Sequence, residues 1–290
     1  MDFGVTVPNF GKYADKNEII KVTTTAEELG FDSIWVSDHI VIPQSHRVFG
    51  YVFYDPLVTL SYLASVTRTI KLGISVVILP YRNPVVLAKM ISTLDQLSEG
   101  RIILGVGTGW LKEEFDALGY SYDQRGKITD EYIEILKALW TEDLPKYDGE
   151  FHSFSGIRFL PKPHQKPYPP IWVGGGSVKA IERAVISGDG WHPVGLTPGQ
   201  IKDSQFLVKK LLKTHKKDDF VISLRRNLQI TEKDIDEDDT LRGSLEKVAS
   251  GLRDYKKTGV DHLILNFLSG TSEGIINAMR HFSMEIRPHI

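Results

Sequence analysis

The chain has 290 residues, 41% hydrophobic and 25% charged, with a formal net charge of −2 and no cysteine. That is the composition of an ordinary globular protein, and it excludes a broadly basic nucleic-acid-binding surface, disulfides, thiolate metal sites and a cysteine nucleophile. No apolar run approaches the roughly 20 residues of a membrane span, the N-terminus enters a strand with no basic-then-apolar leader, and the cytoplasm is the expected compartment.

Phe3 to Val7 reads as a strand ending at Pro8-Asn9. A helix follows, with Ile19, Val22, Ala26 and Leu29 at spacings of three and four, and Gly30 stops it in the C′ position. Ser33 to Val36 is a second strand, ending at Ser37-Asp38-His39. Asp55-Pro56 caps and starts the next helix. Lys71 to Ile78 is a third strand, with the nearly continuous apolar run of a strand covered on both faces. Asn83-Pro84 repeats the cap-plus-proline start, and Gly100 ends that helix. The fourth strand begins at Ile102 and runs into three alternating glycines, Gly105, Gly107 and Gly109, then Trp110 and a helical stretch opened by Lys112, Glu113 and Glu114. A longer helix follows through Tyr132, Ile135, Leu136 and Leu139.

Between Asp143 and Pro170, six prolines forbid a helix, and Glu150–Phe154 with Ile157–Leu160 predicts a small hairpin turning at Ser155-Gly156. The alternation then resumes. Ile171 to Val173 is a strand, followed by Gly174-Gly175-Gly176 and a helix from Ser177. Gly190 to Val194 is the sixth strand, Thr197-Pro198 starts a helix, and Phe220 to Ile230 is the seventh strand. The acidic stretch Asp234 to Asp239 reads as a solvated loop before another helix. His262 to Phe267 is the eighth strand, and a last helix carries Ile275, Met279, Phe282 and Ile286.

Eight strands, each followed by a helix, predict a closed (β/α)8 TIM barrel of class α/β: one domain over residues 1–290, with an insertion at about 143–170 after the fourth strand–helix unit. In that fold the site lies at the carboxyl ends of the strands. Asn9, Asp38, His39, Gly105 to Trp110, Gly174 to Ser177 and Trp191-His192 all fall there. The nine histidines show no HxH or HExxH spacing, so no metal is expected. Lysine is missing from the later strands, which argues against Schiff-base chemistry. Gly105-x-Gly107-x-Gly109 departs from the dinucleotide fingerprint. A rim of glycine, indole and a few polar groups suits a planar cofactor that performs the electron chemistry itself.

Five segments carry a resemblance: Asp32 to His39, Leu72 to Val76, Arg82-Asn83-Pro84, Gly105 to Trp110, and Pro170 to Gly176. Their order resembles the luciferase-like monooxygenase superfamily, and within it the branch of oxidoreductases that use coenzyme F420. The superfamily also uses FMN. The resemblance implies a cis peptide at Ser75-Val76, bulging toward the cofactor ring. It implies His39 beside ring and substrate in proton transfer, with Asp38 orienting the imidazole or bonding the ring. It places cofactor contacts at Ser75, Val76, Gly107, Thr108, Gly109 and Trp110, and a phosphate at Gly174, Gly175, Gly176 and Ser177, where a helix begins.

The sugar-phosphate dehydrogenases of the branch carry an acid directly after the Gly-x-Gly-Thr-Gly run. Here that position is Trp110, so their substrate does not carry over; Glu113 or Glu114 is within reach of the site from the next turn, but both are expected as exposed helical carboxylates. The expected activity is hydride transfer between coenzyme F420 and a small organic substrate. The alternatives are an FMN-dependent monooxygenase using reduced flavin and oxygen, and a barrel that binds flavin without turnover. The insertion and the loop from Val41 to Tyr54, with His46, Arg47, Tyr51 and Tyr54, are expected to set the substrate. The expected partners are that small molecule, a second copy of the chain in a homodimer, and a reductase that supplies reduced cofactor. Neither nucleic acid nor membrane is expected.

Overall fold

In the computed structural model, residues 1–46, 50–236 and 240–290 are described, and counts and absences refer to these. Arg47 and residues 237–239 of the acidic stretch therefore lie outside the described residues.

Eight parallel strands close on themselves: β1 (Asp2–Thr6), β2 (Ser33–Val36), β3 (Lys71–Ile78), β4 (Ile102–Gly107), β7 (Ile171–Gly174), β8 (Gly190–His192), β9 (Val221–Ile230) and β12 (His262–Phe267), which pairs back to β1. The helices that return the chain are α1 (Lys16–Glu28), α2 (Pro56–Val66), α3 (Pro84–Leu97), α4 (Lys112–Leu118), α5 (Arg125–Thr141), α6 (Val178–Ser187), α7 (Pro198–His215), α8 (Leu245–Lys257) and α9 (Ser272–His281). The predicted starts hold in atomic detail. Asp55 accepts from the N–H groups of Leu57 and Val58, Asn83 from Val85 and Val86, and Ser177 from Ala180. Each such cap stabilises its helix by about 1 kcal/mol. Among the described residues no helix is long and apolar enough to cross a membrane.

Two expected details differ. The hairpin of the insertion pairs β5 (Tyr147–Asp148) with β6 (Ser153–Phe154), one step earlier than the sequence suggested. The carboxylate of Glu131 accepts the N–H groups of Glu150, Phe151 and His152 and so fixes the turn there. The acidic stretch is also partly paired. β10 (Ile235–Asp236) runs antiparallel to β11 (Thr240–Gly243), which extends the sheet alongside β9.

Strand alternation sorts the side chains. Val5, Ile34, Leu72, Leu104, Val173, Leu224 and Leu265 face outward and pack under the helices. Trp35, Ile103, Trp172 and Ile264 fill the barrel interior, with Trp35 stacked on Trp172 at 5.4 Å and on His192 at 5.1 Å. Several polar groups inside are paired. Ser33 Oγ lies 2.7 Å from both His262 Nε2 and Trp35 Nε1. His192 reaches Ser223 Oγ at 2.9 Å with Nδ1 and Ser75 Oγ at 2.8 Å with Nε2. Burial, with the charge of Arg225 nearby, pulls the His192 pKa down to about 3, so the imidazole is neutral at ordinary pH.

One feature of the sheet shapes the mouth. Ile74 pairs with Leu104, but the next pair is Val77 with Val106, so two residues of β3 oppose one of β4. This is a β-bulge, and its Ser75-Val76 peptide is cis, as the resemblance implied. The glycines of β4 and β7 answer it. A Cβ on Gly105 would lie 2.0 Å from the Ile74 carbonyl oxygen, one on Gly107 2.5 Å from Val76 Cγ2, and one on Gly174 3.0 Å from Val76 Cγ1.

Gly107→Ala is therefore expected to destabilise the fold by about 1–3 kcal/mol through overpacking. Adding Val76→Ala should restore most of that loss, whereas the same addition should not rescue Gly105→Ala, whose clash is with backbone. Chemical denaturation of the four variants decides it, and an absence of rescue at Gly107 would reject this account of the glycines.

Candidate active site

The bulge and the ends of β1, β2, β4 and β9 frame the carboxyl mouth of the barrel. Val76 is half-buried there and packs beside Ile78, Tyr81 and Phe115. The hydroxyl of Ser75 is turned inward to His192, so Val76 is the bulge side chain presented to the mouth. Thr108, Gly109 and the indole of Trp110 continue the rim. Trp110 is 52% exposed and stands edge-on to His39 at 6.2 Å and to His46 at 5.7 Å.

His39 sits just past β2. Its Nδ1 lies 2.8 Å from Glu114 Oε2, and its ring meets Phe53 edge-on at 5.0 Å. Glu114 is fully buried, contrary to its expected place on an exposed helical face. Its Oε1 accepts the N–H groups of Ile40 at 2.7 Å and Val41 at 3.2 Å, and its Oε2 accepts the phenol of Tyr81 at 3.1 Å. Burial alone would raise its pKa. The bond and charge of His39, with the two backbone donors, outweigh burial and hold the carboxyl below its ordinary value. An ionised carboxylate only accepts, so His39 Nδ1 carries the proton and donates it to Glu114. Burial and the Glu114 charge also push the Tyr81 phenol up, which keeps it a donor.

Asp38 takes a different part from the one expected. Its oxygens accept from Arg82 at 2.6 and 2.8 Å, and Oδ2 also accepts the N–H of Ile78 at 3.0 Å. These contacts tie the end of β3 to the rim of β2, and Glu114, not Asp38, orients the imidazole. Asn9 is buried beside them, with its amide donating to the carbonyls of Ser37 and Tyr54 and its oxygen accepting the N–H of Ser37.

The second expected segment lies across the mouth. Gly174 is half-buried, Gly175 and Gly176 are exposed, and Ser177 caps α6. Gly175 has φ +112°, a conformation that an L side chain resists. Arg183 is engaged with Asp130 and the Gly126 carbonyl, which leaves Lys179 as the exposed cation of that helix start. Open backbone N–H groups at a helix start suit a phosphate, and the flat, apolar floor made by Val76 suits a planar ring. The residues present thus fit a phosphate-bearing flavin or deazaflavin. A separate cavity of about 600 Å³, lined among others by Lys71, Arg101, Trp172, Asp189 and Asp261, lies at the opposite, amino end of the strands, the end that serves stability in barrels of this type. Among the described residues no group of acidic or histidine side chains is placed to hold a metal.

The sequence pointed to Glu114 only as the less expected of two placements, gave Arg82 no role beyond its motif, and gave no sign of Tyr81. For Glu114 a signal existed: Leu111, Phe115 and Leu118 mark the inward face of the helix start, and position 114 falls between them.

Residues 1–235 match the family profile described as luciferase-like monooxygenase. An uncharacterized protein of Mycobacterium tuberculosis is 37% identical over 180 residues, 57% of this chain and 64% of the relative, so the match spans less than two thirds of that protein. An FMNH(2)-dependent dimethylsulfone monooxygenase of Pseudomonas putida is 38% identical over 139 residues, 47% of this chain and 38% of the enzyme. An F420-dependent secondary alcohol dehydrogenase, solved with an F420-acetone adduct, superposes with a TM-score of 0.85 at 18% identity, over 99% of this chain and 98% of that one.

Because the Glu114 carboxylate is held below its unfolded value, its stabilisation is present above the ordinary carboxyl pKa of about 4.3 and is lost as pH falls through the lower folded value. Glu114→Gln should melt below the wild type at pH 7, and the two should converge only once pH has fallen through that lower folded value. Parallel melting curves across pH would overturn the assignment.

Proposed function

The chain belongs to the luciferase-like monooxygenase family, a family of oxidoreductases and monooxygenases, and we propose that it transfers hydride between coenzyme F420 and a small organic substrate. The observation that carries this reading is the His39–Glu114 pair on the rim beside the Val76 floor. Interconversion of an alcohol and a carbonyl moves one proton at oxygen for each hydride at carbon. His39 Nε2 is the atom that takes or returns that proton, with Glu114 fixing the ring. The bound deazaflavin would supply or accept the hydride. Val76 would back its ring, Thr108 and Gly109 would hold its edge, and the run from Gly174 to Ser177 with the start of α6 would take its phosphate. Trp110 would wall the substrate side.

A second reading, an FMN-dependent monooxygenase, is favoured by the likeness to the Pseudomonas enzyme and by Trp110 in the position where an acid is expected in the deazaflavin dehydrogenases. The same residues would hold FMN, and a partner reductase would then supply reduced flavin.

Titration of the protein with FMN and with coenzyme F420 side by side, followed by cofactor fluorescence, tests both. Tight binding of the deazaflavin alone is the expected result. Tight binding of FMN alone would replace hydride transfer with oxygen chemistry, and binding of neither would reject both readings.

We also propose that the chain works as a homodimer. Val58, Tyr62 and Val66 on α2 and Val86, Met90 and Leu97 on α3 are exposed, an apolar surface on adjacent helices that a second copy would cover. A monomeric mass by light scattering at micromolar concentration would count against it.

A further inference from the structure

The inner face of β9 carries Val221, Ser223, Arg225 and Asn227. Ser223 belongs to the neutral floor through its bond to His192. Arg225, one layer higher, is a charge set into the mouth. Its Nη1 donates to Ser37 Oγ at 2.8 Å, and its guanidinium lies 5.7 Å from the ring of Phe10. No carboxylate among the described residues pairs with it, whereas Arg82 is held by Asp38 and Asp55, Arg183 by Asp130 and Arg287 by Asp32. Arg101 also lacks a bidentate acid, but it spends its donors on Ser98, Thr67, Ile70 and Ala64. Arg225 has five N–H groups, and only the one bond to Ser37 occupies them. Burial pulls its pKa down to about 10, so it remains charged at neutral pH.

A guanidinium placed in a poorly solvated mouth without an acid is costly unless something else supplies the negative charge. The surrounding groups are donors waiting for an acceptor. Ser37 Oγ accepts from Arg225, which leaves its own proton to give. Thr6, the residue after the Val5–Leu265 pair, is buried with a hydroxyl that bonds to nothing. Beside it Asn266 donates to Asn227 at 2.8 Å. Ser37 stands two residues before His39, and His192, which feels the Arg225 charge, also bonds Ser75 of the bulge. Arg225 is thus tied through Ser37 to the strand end that carries His39, in the mouth that the bulge also borders.

We propose that Arg225 and the Ser37 hydroxyl dock an anionic group of the substrate, so that the substrate is an organic carboxylate or sulfonate whose reacting carbon is presented to His39. This deepens the oxidoreductase reading and rests on it for the place of the reacting carbon. The docking itself rests only on the donors. The same donors would serve a negative charge on the cofactor, and the test separates the two sources.

The wild type, Arg225→Lys and Arg225→Met are compared by calorimetry and thermal shift, with and without FMN or coenzyme F420, at constant ionic strength. The probes are methanesulfonate and acetate, each paired with its neutral counterpart, dimethyl sulfone and acetamide. The wild type should bind the anions and discriminate against the neutral molecules. Arg225→Met should bind the anions at least about tenfold more weakly, Arg225→Lys should fall between, since charge-assisted bidentate contacts are the strong ones, and cofactor affinity should stay unchanged. Arg225→Met without ligand should melt at or above the wild type, which shows that it folds. Equal anion binding by wild type and Arg225→Met, or neutral molecules bound as tightly as anions, overturns the proposal. So does a loss of cofactor affinity in Arg225→Met without anion selectivity in the wild type. Anion binding through Arg225 in a protein that takes neither cofactor leaves the docking site standing and removes the redox reading, and cofactor binding without anion selectivity does the reverse.

Discussion

The carbonyl oxygen of Ile74 stands 2.0 Å from where a Cβ on Gly105 would lie, and much of the mouth follows from that close approach. Two residues of β3 are fitted opposite one of β4, so the strand swells inward and its neighbours must give way. Backbone cannot be displaced as a flexible side chain can, so position 105 admits only hydrogen. Positions 107 and 174 are less absolute, because the atoms they meet belong to the Val76 side chain. A glycine run at the end of a barrel strand invites the reading that a ligand lies against bare backbone. At Gly105, Gly107 and Gly174 the immediate neighbour is protein, and a ligand meets the surface that the bulge and its glycines make together.

Two buried carboxylates then divide the rim between them. Asp38 is consumed by Arg82 and the Ile78 N–H, which pins the end of the bulged strand to the loop after β2. Glu114 comes from a helix on the other side and gathers His39, Ile40, Val41 and Tyr81. Both satisfy the rule that buried charge must be paired or fully hydrogen-bonded, yet they do different work. Asp38 meets a guanidinium that stays protonated and so provides a fixed tether. Glu114 meets an imidazole, a ring with two nitrogens that can donate at one and accept at the other, so the same kind of contact orients a group able to pass a proton.

The sequence made the barrel legible because the strands announce themselves by their apolar runs and most of the helices twice, by apolar period and by a capping residue. Asp55-Pro56, Asn83-Pro84, Ser177 and Thr197-Pro198 all start helices where expected. The bulge was legible only through resemblance, since Ser75 and Val76 fit an unbroken strand pattern equally well. The partners of the rim were harder. Whether His39 meets Asp38 or Glu114 is a matter of tertiary geometry across 75 residues, and adjacency in sequence pointed to the wrong acid. The hairpin of the insertion shifted for a similar reason: Glu131, in a helix well before it, decides where the chain turns.

Polarity changes steadily along the barrel axis. At the bottom Trp35, Trp172, Ile103 and Ile264 make a dry plug. One layer up, His192 is kept neutral by burial, and its two serines satisfy it without introducing charge. Above that, at the mouth, stand a guanidinium without an acid, an imidazole beside a carboxylate, and a threonine hydroxyl with no bond. A plug that excludes water strengthens electrostatic interactions in the layer above it by lowering the local dielectric. The neutrality of His192 matters for the same reason. Protonated, it would add a second positive charge beneath Arg225. The floor stays uncharged so that charge at the mouth can be used, and the glycines, the bulge and the neutral histidine are three parts of that one arrangement.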